Sequence, residues 1–373
     1  MPSSEPQILI NPARELDGPA RPGSGGGSPA AFHRRLPGYA PTRVVYGAGI
    51  AADLGLESLA IKDEAGRLGM PSFKILGASW AVYRLLASRL GAEPEWNGLD
   101  ELRAAFAPLG ALELVAATDG NHGRAVAHMA HVLGYESHIL VPAGTATARI
   151  DGIAGEGAEV TVVDGTYDDA VAASAALATD RALVVSDTSW DGYTEVPRTV
   201  IEGYSTIFSE LDAQLAVAPD LVVVPMGVGA LTAAAVDHYA ATATIVAVEP
   251  LSAACGLQSA AAGHPVYVPG PHSSIMAGLN CGSVSPIAWP AVSRGVDVFV
   301  AVSDAAAEQA MRDLATIGIV AGETGAAALA GLRAVVNANP ADYRNRNALA
   351  LCTEGATDPD AYRRIVGRDA STI

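Results

Sequence analysis

Lysine is scarce in this chain of 373 residues, in which Lys62 and Lys74 are the two lysines although lysine and arginine together number 23. Arginine therefore supplies almost all of the positive charge. An arginine stays protonated in proteins, whereas a lysine can lose its proton and act as a nucleophile or a base. A lysine retained in such a chain is therefore a candidate for chemistry.

Positive charge is also low relative to negative charge. Aspartate and glutamate number 40, and the formal net charge is -17. Nucleic acids and anionic membranes are bound by basic surfaces, which this composition does not favour. We therefore expect neither as a partner, and a small-molecule substrate fits better.

Cysteine is the third residue type in short supply, with Cys255, Cys281 and Cys352 the only ones present. Three cysteines do not make a disulfide scaffold in a chain of this size, so a reducing compartment is the default. The first residues show no charged segment followed by an apolar one, so we expect no secretory signal. The uncharged run 221–236 is shorter than the roughly 20 residues of a membrane-spanning helix. We predict a cytoplasmic protein.

Short apolar runs alternate with alanine-rich helical segments after a Gly/Pro/Ser-rich start, residues 1–30, which we interpret as a flexible leader. This rhythm predicts an α/β fold with largely parallel sheets covered by helices. The predicted strands are 112–119, 137–143, 158–164, 182–187, 221–226, 244–250, 296–303 and 348–353. The predicted helices are about 75–90, 121–134, 168–179, 196–212, 230–240, 304–316 and 323–337.

Lys74 lies in "SFKILGAS", just before a predicted helix and among Phe73, Ile75 and Leu76. In most proteins a lysine at this position would be a solvated helix-start residue. Apolar neighbours disfavour the ammonium form and so make the free amine available as a nucleophile or a base. We therefore expect Lys74 to have a lowered pKa and a chemical role.

A second motif, "ATDGNHGRAVA", connects a predicted strand to a helix through Asp119, Asn121 and two glycines. Backbone amides at such a junction point toward a ligand, and Asn121 adds a neutral hydrogen-bonding group. An ordinary helix-capping turn would give the same pattern. His122 and His272 show no metal-ligand spacing, so we predict no metal site.

A third motif, "LVVVPMGVGAL", places Gly227, Val228, Gly229, Ala230 and Leu231 between a strand and a helix. Amides there can hold an anion at a helix N-terminus, which suggests a phosphate site. The motif has neither the spacing of a nucleotide P-loop nor a complete dinucleotide fingerprint. A plain tight turn explains it nearly as well.

A fourth motif, "LALCTEGATD", ends a predicted strand at Cys352 and Thr353. Both are small neutral hydrogen-bonding residues at the edge of the sheet where open α/β folds bind ligands. Ordinary packing is an equally simple explanation for either residue.

In this order the four motifs resemble those of the fold type II pyridoxal-phosphate enzymes, the family of threonine dehydratase, cysteine synthase and the tryptophan synthase β subunit. The resemblance implies a two-lobed fold with the cofactor between the lobes, and commonly a homodimer. It also implies a division into a large cofactor-binding domain, residues 31–90 and 205–373, and a small domain, residues 91–204.

The resemblance also implies a role for each motif. Lys74, preceded by Phe73, would form the Schiff base with the cofactor aldehyde, and Asn121 would bind the 3'-oxygen of the ring. The amides of residues 227–231 would hold the phosphate. Cys352 or Thr353 would face the pyridine nitrogen, and a neutral partner there suits elimination more than transamination.

Within the family, several segments resemble the signatures of the diaminopropionate ammonia-lyases. They include "IKDEAGRLGMPSFKILGASWA", "SDTSWDGYTEVPRTVIEGYSTI", "SSIMAGLNCG" and "CTEGATD". The resemblance implies elimination of 2,3-diaminopropionate to pyruvate and ammonia. Lys74 would remove the α-proton of the L isomer, Asp119 that of the D isomer, and Asp187 would orient the distal amine.

Two alternatives remain open at this point. Another β-eliminating or β-replacing enzyme of the fold, such as a serine/threonine dehydratase, would keep the same cofactor motifs. Threonine dehydratases resemble the asparagine turn but carry a small hydroxyl residue where this chain has Asp119. A non-catalytic binding protein would have little reason to retain Lys74. The chain departs from the family pattern at Ala78, Ser79 and Trp80, where we expect differences in specificity.

Overall fold

The computed structural model describes residues 5–15 and 27–373. Its strands are β1 (Gln7–Ile10), β2 (Val44–Tyr46), β3 (Ser58–Asp63), β4 (Glu113–Ala117), β5 (Glu136–Pro142), β6 (Glu159–Val163), β7 (Ala182–Val184), β8 (Leu221–Pro225), β9 (Thr244–Pro250), β10 (Val298–Val302) and β11 (Asn347–Cys352). All eight predicted strands are present, and β1, β2 and β3 were not predicted.

Helices follow most of these strands. They are α1 (Pro29–His33), α2 (Ala48–Leu54), α3 (Lys74–Leu90), α4 (Leu99–Phe106), α5 (Asn121–Leu133), α6 (Thr147–Ala154), α7 (Tyr167–Ala176), α8 (Glu195–Gln214), α9 (Ala230–Tyr239), α10 (Cys255–Ala262), α11 (Trp289–Gly295), α12 (Asp304–Thr316), α13 (Ala327–Ala338), α14 (Pro340–Tyr343) and α15 (Pro359–Val366). Short 3-10 turns occupy Ala107–Leu109, Ala277–Leu279 and Ala370–Thr372. Within the described parts of the chain, no helix has the length and apolarity to cross a membrane.

The described residues form two compact units. The large unit contains residues 41–66 and 207–373 together with 5–15, and the small unit contains residues 67–206 together with 27–40. The sequence assigned residues 31–40, 67–90 and 205–206 to the large domain, but they lie in the small unit. For residues 67–90 the reason is that α3 packs against α5 and α4 of that unit. The predicted division of the chain into domains otherwise stays a prediction.

The large unit is built on a seven-stranded sheet of order β1-β10-β9-β8-β11-β3-β2. The five central strands are parallel, and the two edge strands, β1 and β2, pair antiparallel to their neighbours. The central strands β8, β9 and β10 are almost wholly buried and rich in valine, as parallel strands covered on both faces must be. Helix α13 packs its apolar face on this sheet, and α12 packs on α13 and α15.

The small unit has a four-stranded parallel sheet of order β6-β5-β4-β7. Its core includes Val115, Leu140, Ala170 and Val184, which come from three strands and α7. Helix α5 packs on β4 and β5. Because β4 ends where the turn at Asp119 begins, the asparagine turn lies at the carboxyl edge of this sheet.

The prediction of a flexible leader over residues 1–30 is wrong for part of that segment. Gln7–Ile10 form the edge strand β1, which pairs with β10. Asn11 is buried, and its side-chain amide donates to the carbonyl of Val296 at 2.6 Å. Backbone pairing and this contact hold the segment, although its sequence has no clear strand alternation. Residues 1–4 and 16–26 of the predicted leader lie outside the described residues.

Candidate active site

Lys74 is the first residue of α3, and its side chain forms an ion pair. Its Nζ lies 2.6 Å from Oδ2 of Asp187, a carboxylate that is almost fully buried. Tyr167 donates a hydrogen bond to the other carboxylate oxygen of Asp187 at 2.9 Å. The structure thus brings together two residues that the sequence singled out separately, and it adds Tyr167, which the sequence did not identify.

The ion pair reverses the expected protonation of Lys74. Burial lowers the pKa of Lys74, as expected from its apolar neighbours, but Asp187 and, to a smaller degree, Asp119 raise it, and the net pKa is above the usual value. The expectation of a free amine is therefore wrong for this state of the protein. Burial is the largest single effect and raises the pKa of Asp187, but the charge of Lys74 and the hydrogen bonds from Lys74 and Tyr167 together outweigh it, so this carboxyl is held as a carboxylate.

Asp119 and Asn121 lie in the turn between β4 and α5. Gly120 has a φ of 145°, a conformation that glycine adopts readily, and its amide donates to the hydroxyl of Thr118 at 2.9 Å. Asn121 begins α5. The charge of Asp119 acts on Lys74, so the turn belongs to the same cluster as the ion pair.

His122 lies beside this cluster and is fully buried. Its Nε2 lies 2.8 Å from the carbonyl of Val185, and its Nδ1 has no hydrogen-bond partner among the described residues. Burial lowers the pKa of His122, so the ring is neutral. Nε2 therefore carries the proton and donates it to the carbonyl. The sequence analysis assigned no role to His122, and only the fold shows that it lies near Lys74 and Asp187.

Phe73 and Tyr204 complete the aromatic surroundings of Lys74. The centroids of their rings are 4.7 Å apart, and Nζ of Lys74 lies 5.5 Å from the centroid of Phe73. Phe73 was a sequence candidate, whereas Tyr204 was not singled out. The available signal was its place in the family-like segment "EGYSTI".

The glycine loop lies in the large unit, between β8 and α9. Gly229 has a φ of 94° and precedes the first residue of α9, whose N-terminus has no side-chain cap. A Cβ on Gly227 would lie 3.0 Å from the carbonyl oxygen of Gly278, so a side chain there would crowd the backbone. The hydroxyl of Thr232 is buried and has no hydrogen-bond partner among the described residues. Uncapped amides and a buried hydroxyl together suit a phosphate.

Cys352 and Thr353 lie at the end of β11, which pairs in parallel with β8. The two residues and the glycine loop therefore follow the carboxyl ends of neighbouring strands in one sheet. Burial raises the pKa of the Cys352 thiol, as do Asp63 and Glu354 nearby, so the thiol stays neutral. Thr353 is also buried. Either residue offers a neutral group, as the sequence predicts.

The sequence candidates thus fall into two sets. Lys74, Phe73, Asp119, Asn121 and Asp187 belong to the small unit, and the glycine loop, Cys352 and Thr353 belong to the large unit. The residues present suit pyridoxal phosphate chemically, since they include an amine for its aldehyde, amides for its phosphate and a neutral group for its ring nitrogen.

Comparison with known proteins agrees with this donor set. Residues 35–352 match the family model described as pyridoxal-phosphate dependent enzyme. The diaminopropionate ammonia-lyase of Salmonella typhimurium is 36% identical over 91% of this chain and 92% of its own length. That of Escherichia coli strain K12 is 34% identical over 90% of this chain and 89% of its own.

A solved structure shows the same fold. It is the crystal structure of diaminopropionate ammonia-lyase from Escherichia coli in complex with an aminoacrylate-PLP azomethine reaction intermediate. It superposes with a TM-score of 0.88 at 30% sequence identity, covering 98% of this chain and 97% of that one. The chain belongs to the pyridoxal-phosphate dependent enzyme family and has the fold type II architecture.

Proposed function

We propose that the protein eliminates ammonia from 2,3-diaminopropionate and yields pyruvate and a second ammonia, with consumption of one water. The observation that carries the proposal is the cluster of Lys74, Asp119 and Asp187, one amine with two carboxylates. A diamino acid carries two ammonium groups, so two carboxylates favour it over a dicarboxylate. The curated relatives that are similar over most of their length bear the name of this activity.

Lys74 would hold pyridoxal phosphate through Nζ, the amides of residues 227–231 would hold its phosphate, and Asn121 would bind its 3'-oxygen. Cys352 or Thr353 would face the ring nitrogen. The group supplies an electron sink that acidifies the α-proton of an attached amino acid. The buried thiol of Cys352 remains neutral, which supports the choice of elimination over transamination.

The proton transfers would belong to Lys74 and Asp119. Lys74 Nζ would remove the α-proton of the L isomer, and the carboxylate of Asp119 would remove the α-proton of the D isomer. Each of the two bases would thus act on one face of the substrate. Asp187 is ion-paired with Lys74 at 2.6 Å. With substrate bound, the same carboxylate oxygen would accept from the distal ammonium beside Nζ, while Tyr167 fixes the other oxygen.

The chain also supports a proposal about its surroundings. The chain has three cysteines, too few for a disulfide scaffold in a chain of this length, which suits a reducing compartment. We therefore propose that the protein is cytoplasmic. From the family resemblance we propose that it is a homodimer. Light scattering of the purified protein would distinguish a dimer from a monomer.

The division of labour between the bases is tested by Asp119→Asn, which removes one base and keeps the size of the side chain. We expect activity on D-2,3-diaminopropionate to fall by about a hundredfold or more, the ordinary worth of a general base, and activity on the L isomer to persist. The measurement is steady-state pyruvate formation with each isomer. Lys74→Ala should abolish the yellow absorbance of the bound cofactor, which serves as the control for the cofactor assignment.

Equal loss for both isomers in Asp119→Asn would contradict the two-base scheme. A preparation of Lys74→Ala that keeps its colour unchanged would contradict the attachment of the cofactor to Lys74.

A further inference from the structure

Tyr204 is a fully buried tyrosine whose hydroxyl has no hydrogen-bond partner among the described residues. An unpaired buried hydroxyl costs stability, and nearly all such groups in native proteins are paired. Phenylalanine would fill the same space without this cost. An unpartnered hydroxyl alone does not mark a site, so the groups that surround it decide what it can do.

Two glycines seat the ring of Tyr204 against the backbone of α3. A Cβ on Gly77 would lie 2.5 Å from Cε1 of Tyr204, and a Cβ on Gly203 would lie 2.5 Å from the carbonyl oxygen of Leu76. Helices α3 and α8 therefore touch at these residues. Because Gly77 follows Lys74 by three residues, both lie on the same face of α3. The ring of Tyr204 packs on the helix face that carries Lys74.

The charges around the hydroxyl are those of the catalytic cluster. Burial raises the pKa of Tyr204, Lys74 lowers it, and Asp187 and Asp119 raise it further, with a net increase. Tyr204 therefore stays a neutral phenol near neutral pH, a group that accepts or donates a hydrogen bond and does not act as a base. The ring of Phe73 lies beside that of Tyr204, with centroids 4.7 Å apart.

We propose that Tyr204 is a positioning residue for Lys74: its hydroxyl oxygen accepts a hydrogen bond from Nζ when Lys74 acts as the base. This inference rests on the proposed function. A neutral amine has two N–H donors and one lone pair. With Asp187 accepting one hydrogen bond and Tyr204 the other, the lone pair of Nζ is left for the α-proton.

In that step the Cα–H bond breaks and a third N–H bond forms on Nζ, while the electron pair of the broken bond stays with the substrate, where the bound cofactor would stabilise it. The resulting ammonium keeps both hydrogen bonds. Tyr204 thus favours the protonated form of Lys74 as well as its orientation.

The test is Tyr204→Phe in the holoenzyme, which keeps the ring and removes only the hydroxyl. We expect the unfolding temperature and the cofactor absorbance to be unchanged or raised, since an unpaired hydroxyl is lost. We expect kcat to fall about tenfold with KM changed less than threefold. The acid limb of the kcat profile should move to lower pH, because the protonated amine loses an acceptor.

Tyr362→Phe is the matched control, because Tyr362 is likewise a buried tyrosine with an unpartnered hydroxyl and lies in α15 of the large unit. We expect it to leave kcat and the acid limb unchanged. Unchanged kcat and acid limb in Tyr204→Phe would overturn the proposal. A lowered unfolding temperature or lost cofactor would also overturn it, because the hydroxyl would then be structural.

Both 2,3-diaminopropionate and serine are used as substrates. If the unaltered enzyme turns over serine but not 2,3-diaminopropionate, the proposed function fails. The role of Tyr204 is then still decided by comparing Tyr204→Phe with the unaltered enzyme on serine.

Discussion

Asp187 determines the protonation of Lys74 in the free protein. The two groups lie 2.6 Å apart although 113 residues separate them in the sequence. A charged ammonium cannot attack an aldehyde, so most of the Lys74 amine in the free protein is not nucleophilic. Cofactor attachment therefore depends on the small neutral fraction of Lys74, which grows with pH.

Asp187→Asn should make this attachment faster at neutral pH. Without the carboxylate, burial is the main effect left on Lys74 and lowers its pKa. The neutral fraction then rises about tenfold for each unit by which the pKa falls. The measurement is the rate at which cofactor absorbance appears after pyridoxal phosphate is mixed with cofactor-free protein. The rate is followed from about pH 6 to about pH 10, a range that approaches the ordinary pKa of lysine.

Asp191→Asn is the control for Asp187→Asn, because Asp191 is exposed in the same segment and the substitution removes the same charge. We expect it to leave the rate unchanged. An Asp187→Asn protein that attaches the cofactor with the pH dependence of the unaltered protein would show that the ion pair does not control Lys74.

Rarity of lysine identified a residue worth examining but not its environment. Lys62, the other lysine, is fully buried and ion-paired with Glu210 at 2.7 Å, and it donates to the carbonyl of Thr42 at 2.9 Å. Its contacts are those of a structural lysine inside a strand. Composition alone would have selected both lysines, and the motifs around Lys74 made the difference.

The expectation of altered specificity at residues 78–80 is not supported at Trp80. Its side chain is buried, and its ring packs with Phe32 and Tyr83 at centroid distances of 5.4 and 5.6 Å. The indole N–H donates to Glu202 at 3.3 Å. Trp80 is thus part of the apolar interior of the small unit, which a residue pattern read along one helix could not reveal.

Helices α3 and α8 depend on glycine where they touch. A Cβ on Gly203 would lie 2.5 Å from the carbonyl oxygen of Leu76 and 2.8 Å from Cα of Gly77, both backbone atoms that cannot move without shifting a helix. This close approach places Tyr204 beside the turn that follows Lys74. The geometry of the cluster therefore rests on two residues that have no side chain.

Gly203→Ala should destabilise the protein by about 1–3 kcal/mol, since overpacking outweighs the better helix propensity of alanine. Gly49→Ala in α2 is the control, because a Cβ there meets no atom within 4 Å. We expect that variant to be unchanged or slightly stabilised. Urea midpoints with equal slopes measure both effects, and equal stability of Gly203→Ala and the unaltered protein would contradict the close contact.

Strands were predictable where they are apolar and buried. Strands β8, β9 and β10 are covered on both faces of the sheet, so each is a continuous, valine-rich apolar run that can be recognised in the sequence. Strand β3 escaped prediction because Lys62 and Asp63 break its apolar run, although both side chains are buried in the fold. Strand β1 escaped because backbone pairing with β10, a partner nearly 300 residues away, holds it.

At the scale of the whole molecule, the order of motifs along the chain carried the prediction. Each motif alone has an ordinary structural explanation, but the four in sequence match one family, and the family model covers residues 35–352. The chemical detail was less predictable. The pairing of Lys74 with Asp187, the support from Tyr167 and the unpaired hydroxyl of Tyr204 arise from contacts between distant segments.

The most direct test of the central claim is the product balance of the unaltered holoenzyme with each isomer of 2,3-diaminopropionate, with serine and threonine as comparison substrates. We predict pyruvate from both isomers, with two ammonia released for each pyruvate, and much slower turnover of serine and threonine. Turnover of serine or threonine with no pyruvate from either isomer of diaminopropionate would contradict the account.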